Sequence, residues 1–154
     1  MKWFLLSLLL VSPSFAQPIS ETGLPLPRFV SIKGSEANMR NGPGKRYPVK
    51  WNYKRKHLPI KIINEYEHWR KVEDHEGIQG WMHKSVLSGK RTAMLLADNI
   101  YLREKPLEES KATAKLMKGV ITYIESCRPE WCEVEVGKAD GWVPSSLLWG
   151  VKLD

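Results

Sequence analysis

Internal repetition constrains this chain more than any other feature. The segment Trp81-Met82-His83-Lys84-Ser85-Val86-Leu87 recurs as Trp142-Val143-Pro144-Ser145-Ser146-Leu147-Leu148 at an offset of 61, and a glycine, Gly80 or Gly141, precedes each copy. Met39-Arg40 with Pro43 recurs as Leu102-Arg103 with Pro106 at an offset of 63, and Trp69 with Val72 recurs as Trp131 with Val134 at 62. Three landmarks in one order, drifting by single residues, divide the chain into two modules of about 60 residues. The 154 residues therefore hold two small domains and leave no room for a large multi-layer enzyme.

Each module reads as short strands and turns. Residues 58–63 and 120–124 are apolar and β-branched and run into polar turn residues. In 69–73 and 131–136, Val72, Val134 and Val136 can face a core while Lys or Glu faces water. Turns are expected at 74–77 and 137–141, and neither module shows a long helical period. Five short strands per module predict an all-β chain of two small antiparallel barrels, each closed on itself so that no edge is left free. Asn41-Gly42-Pro43-Gly44 is a strong turn signal, whereas Glu104-Lys105-Pro106-Leu107 keeps only the proline and predicts a loop of different shape. The expected boundaries are 28–95 and 96–154. Ahead of them lies a leader at 17–27, kept extended by Pro18, Pro25 and Pro27 and packed down by Phe29 at the first strand.

The first sixteen residues have a different character. Met1-Lys2 is a positive start, residues 3–11 are apolar apart from Ser7, Pro13 breaks any helix, and Ser14-Phe15-Ala16 places small residues at the cut. This pattern predicts a secretory signal peptide at 1–16. Its apolar run falls short of the roughly 20 residues of a spanning helix, no second run follows, and no cysteine offers a lipid anchor. Export, with the periplasm as the expected destination, makes nucleic acid an improbable partner.

Charge is unevenly shared. Residues 28–95 carry 15 Lys plus Arg against 6 Asp plus Glu, a balance of +9, whereas residues 96–154 carry 8 against 10, a balance of −2. The densest run, Lys54-Arg55-Lys56-His57, follows Lys45, Arg46 and Lys50, with Tyr47, Trp51 and Tyr53 interleaved. Such a face can bind an anion against aromatic platforms, and the acidic module could equally dock on the basic one. Arg40 and Arg103 alternate with the inward Met39 and Leu102, so each should point outward, to hold a carboxylate or to brace loop carbonyls. Trp81 and Trp142, each after a glycine, are expected in the core or at the barrel closure, and Trp69 and Trp131 at strand starts where a ring can cover a groove.

Cys127 and Cys132 bracket four residues at the junction of two predicted antiparallel strands, which predicts a disulfide in an exported protein. Closing so short a loop contributes about 2 kcal/mol. The C-x4-C spacing and the lack of a strand-then-helix context argue against a redox pair. His57, His68, His75 and His83 form no metal-ligand spacing and are expected to be exposed. No nucleophile elbow, phosphate-binding loop or paired-carboxylate arrangement is recognisable, so neither catalysis, metal nor cofactor is expected.

Taken together, Asn38-Met39-Arg40-Asn41-Gly42-Pro43-Gly44, Trp69-Arg70-Lys71-Val72 and Gly80-Trp81-Met82 resemble the bacterial SH3-like (SH3b) repeat, and the second module follows in weaker form. With residues 22–31 and 88–93 included, the mature chain resembles a family of exported proteobacterial proteins with tandem SH3-like domains. The resemblance implies small β-barrel binding modules that often engage peptidoglycan or its peptide stems. More distant eukaryotic SH3 domains place a tryptophan at the position of Trp69 or Trp131, and a proline followed three residues later by a tyrosine. Here Pro144 is followed by Leu147, and His83 by Val86, so the polyproline groove lacks its tyrosine. The expected function is non-enzymatic recognition of peptidoglycan or another anionic envelope ligand, with an envelope protein-protein adaptor as the alternative. Its expected ligand-binding residues are Arg40, Trp51, Tyr53, Lys54, Arg55 and Trp69, with Arg103, Trp131 and Pro144 forming a second-domain groove. Oligomeric state is left open by the sequence.

Overall fold

The repeat folds as two seven-stranded antiparallel sheets of identical topology. A computed structural model describes residues 20–151; the expected signal peptide, the start of the leader and residues 152–154 lie outside the described residues. The first sheet contains β1 (Arg28–Ile32), β2 (Ala37–Arg40), β3 (Val49–Tyr53), β4 (Pro59–Tyr66), β5 (Trp69–Glu73), β6 (Gln79–His83) and β7 (Leu87–Ser88), ordered β3-β2-β6-β5-β4-β1-β7. The second contains β8 (Thr92–Leu95), β9 (Ile100–Arg103), β10 (Ala112–Leu116), β11 (Ile121–Cys127), β12 (Trp131–Val136), β13 (Ala139–Pro144) and β14 (Leu148–Trp149), ordered β10-β9-β13-β12-β11-β8-β14. Single 3-10 turns at Lys84–Val86 and Ser145–Leu147 precede the last strand of each. The chain is all-β with two tandem barrels, as predicted, although each sheet gathers seven strands where the sequence suggested five.

Alternation builds the two cores. Along β5 and β12 every second residue points inward, so Val72 and Val134 are fully buried, joined by Ile32, Met39, Ile60, Ile62 and Met82 in the first barrel and by Leu95, Leu102, Cys132 and Val143 in the second. Each large aliphatic side chain so buried contributes about 1.5–3 kcal/mol. The repeated glycine marks where each sheet folds over itself: β2 meets β6 at Arg40↔Trp81, and β9 meets β13 at Arg103↔Trp142. A Cβ on Gly80 would collide with Met39 Cγ, and one on Gly141 would stand 2.6 Å from the Arg103 carbonyl oxygen. Only glycine allows this backbone approach.

Four expectations need correction. The sheets do not close by hydrogen bonds, since no ladder joins β3 to β7 or β10 to β14; register shifts at Met39/Arg40 and Ala112/Ala114 bend these end strands instead. The second barrel begins at Thr92 rather than at residue 96, because β8 pairs with β11 and β14. Its place matches β1: the Ile32 N–H donates to Leu58 O at 3.0 Å, and the Leu95 N–H to Val120 O at 3.0 Å. The two proline loops follow one path, with Asn41 N–H to Pro48 O at 3.1 Å and Glu104 N–H to Lys111 O at 3.0 Å. Neither Gly42 nor Gly44 is among the glycines at positive φ, so other residues take the same backbone; Gly42 is needed because the Tyr47 ring lies 2.6 Å from where its Cβ would be, and Ser110 stands at that place in the second loop. Finally, Phe29 packs edge-on against Trp149 of the second barrel at 5.1 Å, and it is Leu26 that buries the leader in the first core.

The barrels meet through aromatic and apolar contacts. His57 lies edge-on to Tyr123 at 5.4 Å, the Thr92 hydroxyl donates to His57 O at 2.7 Å, Lys90 Nζ sits 4.2 Å over the Tyr123 ring, and Met94 enters the first core. Among the described residues no ion pair crosses between them, so opposite charge is not what docks the two modules.

Candidate functional site

A hairpin delivers the key tryptophan in each barrel. β4 and β5 pair Glu65↔Arg70 and Tyr66↔Trp69 at their tip. The Glu65 carboxylate is buried, with Arg28 Nη2 at 2.7 Å and Arg70 Nε at 3.8 Å, and it accepts from Ser20 Oγ at 2.9 Å, Thr22 N–H at 3.0 Å and Thr22 Oγ1 at 2.9 Å. Burial alone would raise its pKa, but these donors outweigh burial and hold it at about 2. In β11 and β12 the equivalent register pair is Cys127↔Cys132, joined as the expected disulfide with Cα atoms 4.1 Å apart.

The first groove, a cavity of about 470 Å³, opens beside Trp69. Trp69 meets His83 edge-on at 5.2 Å, Val86 and Ala37 supply apolar surface, and Arg40 and Lys45 line it with Glu36. Arg40 takes the bracing role: its Nη1 donates to Lys45 O at 3.2 Å and Tyr47 O at 2.9 Å. Lys45 makes no side-chain hydrogen bond or ion pair among the described residues and is the free cation of the groove. His83 Nδ1 accepts the Ser85 N–H at 3.2 Å, capping the 3-10 turn. Its pKa is lowered by burial first, then by His68, Lys45, Lys84 and Arg70, so a proton there is opposed mainly by desolvation and secondarily by the neighbouring cations.

The second groove, about 440 Å³, is built from the same positions and carries the opposite charge. Trp131 and Pro144 face each other across the β12–β13 register, flanked by Pro129 and Ser146, and the charged residues lining it are Glu108 and Glu130. Arg103 does not reach it: the guanidinium donates to Ser110 O at 3.0 Å and lies 5.2 Å over the Tyr101 ring. Trp142 is buried under Arg128, 4.7 Å above its ring, whereas Trp81 is only half-buried on the outer side of its barrel.

The predicted ligand-binding set is thus divided. Arg40 and Trp69 share the first groove; Trp51, Tyr53 and Arg55 line a separate cleft between the barrels; Lys54 lines neither. Tyr53 is not available to a ligand, because it is buried and its hydroxyl donates to Asp74 Oδ2 at 2.7 Å, and burial first and this bond second raise its pKa far above the ordinary phenol value. The histidines also differ from expectation: His68 is exposed, but His57, His75 and His83 are half-buried, and His57 and His75 keep Nδ1 atoms buried without a hydrogen-bond partner. Sequence reasoning missed Lys45 and His83 as groove residues. The signal for His83 was its alignment with Pro144.

The sequence matches the bacterial SH3 domain twice, over residues 33–89 and 97–150. The chain belongs to the bacterial SH3 domain family. The chain is similar to two solved structures from Trichomonas vaginalis: NlpC2, with 8% identity, a TM-score of 0.37 and coverage of 80% of this chain and 48% of that one, and NlpC1, with 12%, 0.38, 94% and 50%. The chain therefore spans about half the length of these two proteins. No curated protein sequence matches the chain. Among the described residues of the two SH3 domains, no group of three or more His, Cys, Asp or Glu is placed to hold a metal ion, and no helix is long and apolar enough to cross a membrane.

Proposed function

We propose that this is a non-enzymatic, exported binding protein of the periplasm whose first SH3 domain holds an anionic cell-envelope ligand, most directly peptidoglycan, in the Trp69 groove. The observation that carries the reading is an aromatic wall, Trp69 edge-on to His83, beside Lys45, whose side chain makes no hydrogen bond or ion pair among the described residues. An anionic group meets Lys45 while the flat or apolar part of the ligand packs on Trp69, which excludes water from the contact. Attraction of this kind weakens as salt shortens the Debye length.

Retention of residues 17–154 on purified sacculi tests the proposal. Retention at low salt, reduced at high salt and by Trp69→Ala and Lys45→Ala, is the expected result; no retention at low salt sinks it. One observation favours a second reading. The acidic second groove suits a cationic segment of a partner protein, in which case crosslinking would trap a stoichiometric envelope protein while sacculi retain nothing.

A further inference from the structure

We infer that the cleft between the barrels is a second binding site, distinct from the Trp69 groove, and that it takes the C-terminal carboxylate of a short peptide ending in an apolar residue. The cleft encloses about 320 Å³, at the small end of the range for ligand pockets. Trp51, Leu58, Met94 and Leu96 give it apolar walls, and half of the Trp51 surface is exposed. Its floor is polar but already satisfied: Asp74 accepts from Tyr53 Oη at 2.7 Å and from the Glu76 and Ile78 N–H groups, each at 2.9 Å.

Charge at the mouth selects the ligand. Arg55 of the first barrel and Lys118 of the second both line the cleft, and neither side chain makes an ion pair or hydrogen bond among the described residues. Arg55 reaches across the junction, with Nη1 3.8 Å from where a Cβ on Gly119 would stand. The remaining acid, Glu76, is 66% exposed and lies 3.7 Å from His75 Nε2. Two free cations, one on each wall, face an apolar slot; a carboxylate satisfies both while its aliphatic side chain lies along Trp51 and Leu96. An ammonium would find no uncommitted buried acceptor there. The site exists in neither barrel alone, so its occupant touches both and strengthens their docking by mass action.

Calorimetric titration of the full mature chain with N-acetyl-alanyl-leucine as the free acid, and with its C-terminal amide, tests the inference. The acid should bind at least tenfold more tightly than the amide. Arg55→Gln and Lys118→Gln should each weaken the acid by about tenfold with melting temperature unchanged, Arg55→Lys should restore most of the affinity, and Trp69→Ala should have no effect. Equal binding of acid and amide, no binding of the acid at millimolar concentration, or full affinity in both glutamine variants would overturn it. Because Trp69→Ala is read in the same experiment, loss of this site and loss of the groove are distinguishable.

Discussion

In the first barrel, the hairpin that delivers Trp69 is closed by Glu65 and Arg70; in the second, the hairpin that delivers Trp131 has Cys127 and Cys132 at the same two register positions. The sequence offset of 62 makes the exchange one for one. A buried carboxylate needs more than one partner to offset its desolvation, and Glu65 recruits Arg28, Ser20 and Thr22 from the strand and leader around it. That requirement explains why the leader docks on the first barrel. The disulfide asks for no such shell, and the second hairpin has no leader over it. One joint depends on ionisation, the other on an oxidising compartment.

The largest effect should come from removing the carboxylate. Glu65→Gln leaves two arginines over a buried site and should cost about 3–5 kcal/mol in the first barrel, exposing residues 20–26 to proteolysis while amide exchange in the second barrel stays slow. Acid should act in the same place. Because the folded pKa of Glu65 lies below the ordinary carboxylate value, its contribution is present above pH 4.5 and is lost as pH falls towards about 2. Loss of both barrels together would show that they unfold as one unit and that the contrast has no thermodynamic meaning.

Reduction of the disulfide, or the Cys127→Ser/Cys132→Ser variant, should cost about 2 kcal/mol confined to the second barrel, read as a lower urea midpoint for that barrel alone. A third test compares the loops. Gly42→Ala should cost about 1–3 kcal/mol by overpacking against Tyr47, and the double variant Gly42→Ala/Tyr47→Ser, which places the second loop's serine opposite the new methyl, should recover most of it. The smallest effect belongs to the junction. The His57 pKa is lowered by burial, then by Lys56 and Lys90, so neutral His57 favours the docked form; as pH drops below the ordinary value of 6.5 that support is lost. Slower His57–Tyr123 cross-relaxation in NMR at pH 5.5 than at 7.5 would show it, and an unchanged signal would place the interface beyond reach of this titration.

Much of this architecture was readable in the residues. The glycine before Trp81 and Trp142, the alternation around Val72 and Val134, and the spacing of Cys127 and Cys132 each encode a local geometric demand, and each appears where expected. Features set by distant packing were not readable. The run from Lys54 to His57 looks like one basic face, but β3 passes from exposed residues at its start to the buried Tyr53 and leads into the cleft, which separates Arg55 from Trp69. Arg40 was an obvious outward cation, but the local sequence does not choose between its two expected roles, and the carbonyls at 45 and 47 occupy it. Loop shape was misjudged because the two glycines were read as setting the turn, when Gly42 answers to an aromatic ring five residues away.

The strand ends at Ser88 and Thr92 leave residues 89–91 as the whole connection between the barrels. At about 3.3–3.6 Å per residue, that tether spans little more than 10 Å even when stretched. Docking is therefore an intramolecular encounter at high effective concentration, and weak aromatic contacts suffice to hold it. Since no ion pair among the described residues crosses the joint, added salt should release a ligand from the first groove while leaving the distance between Arg55 and Lys118 almost unaltered.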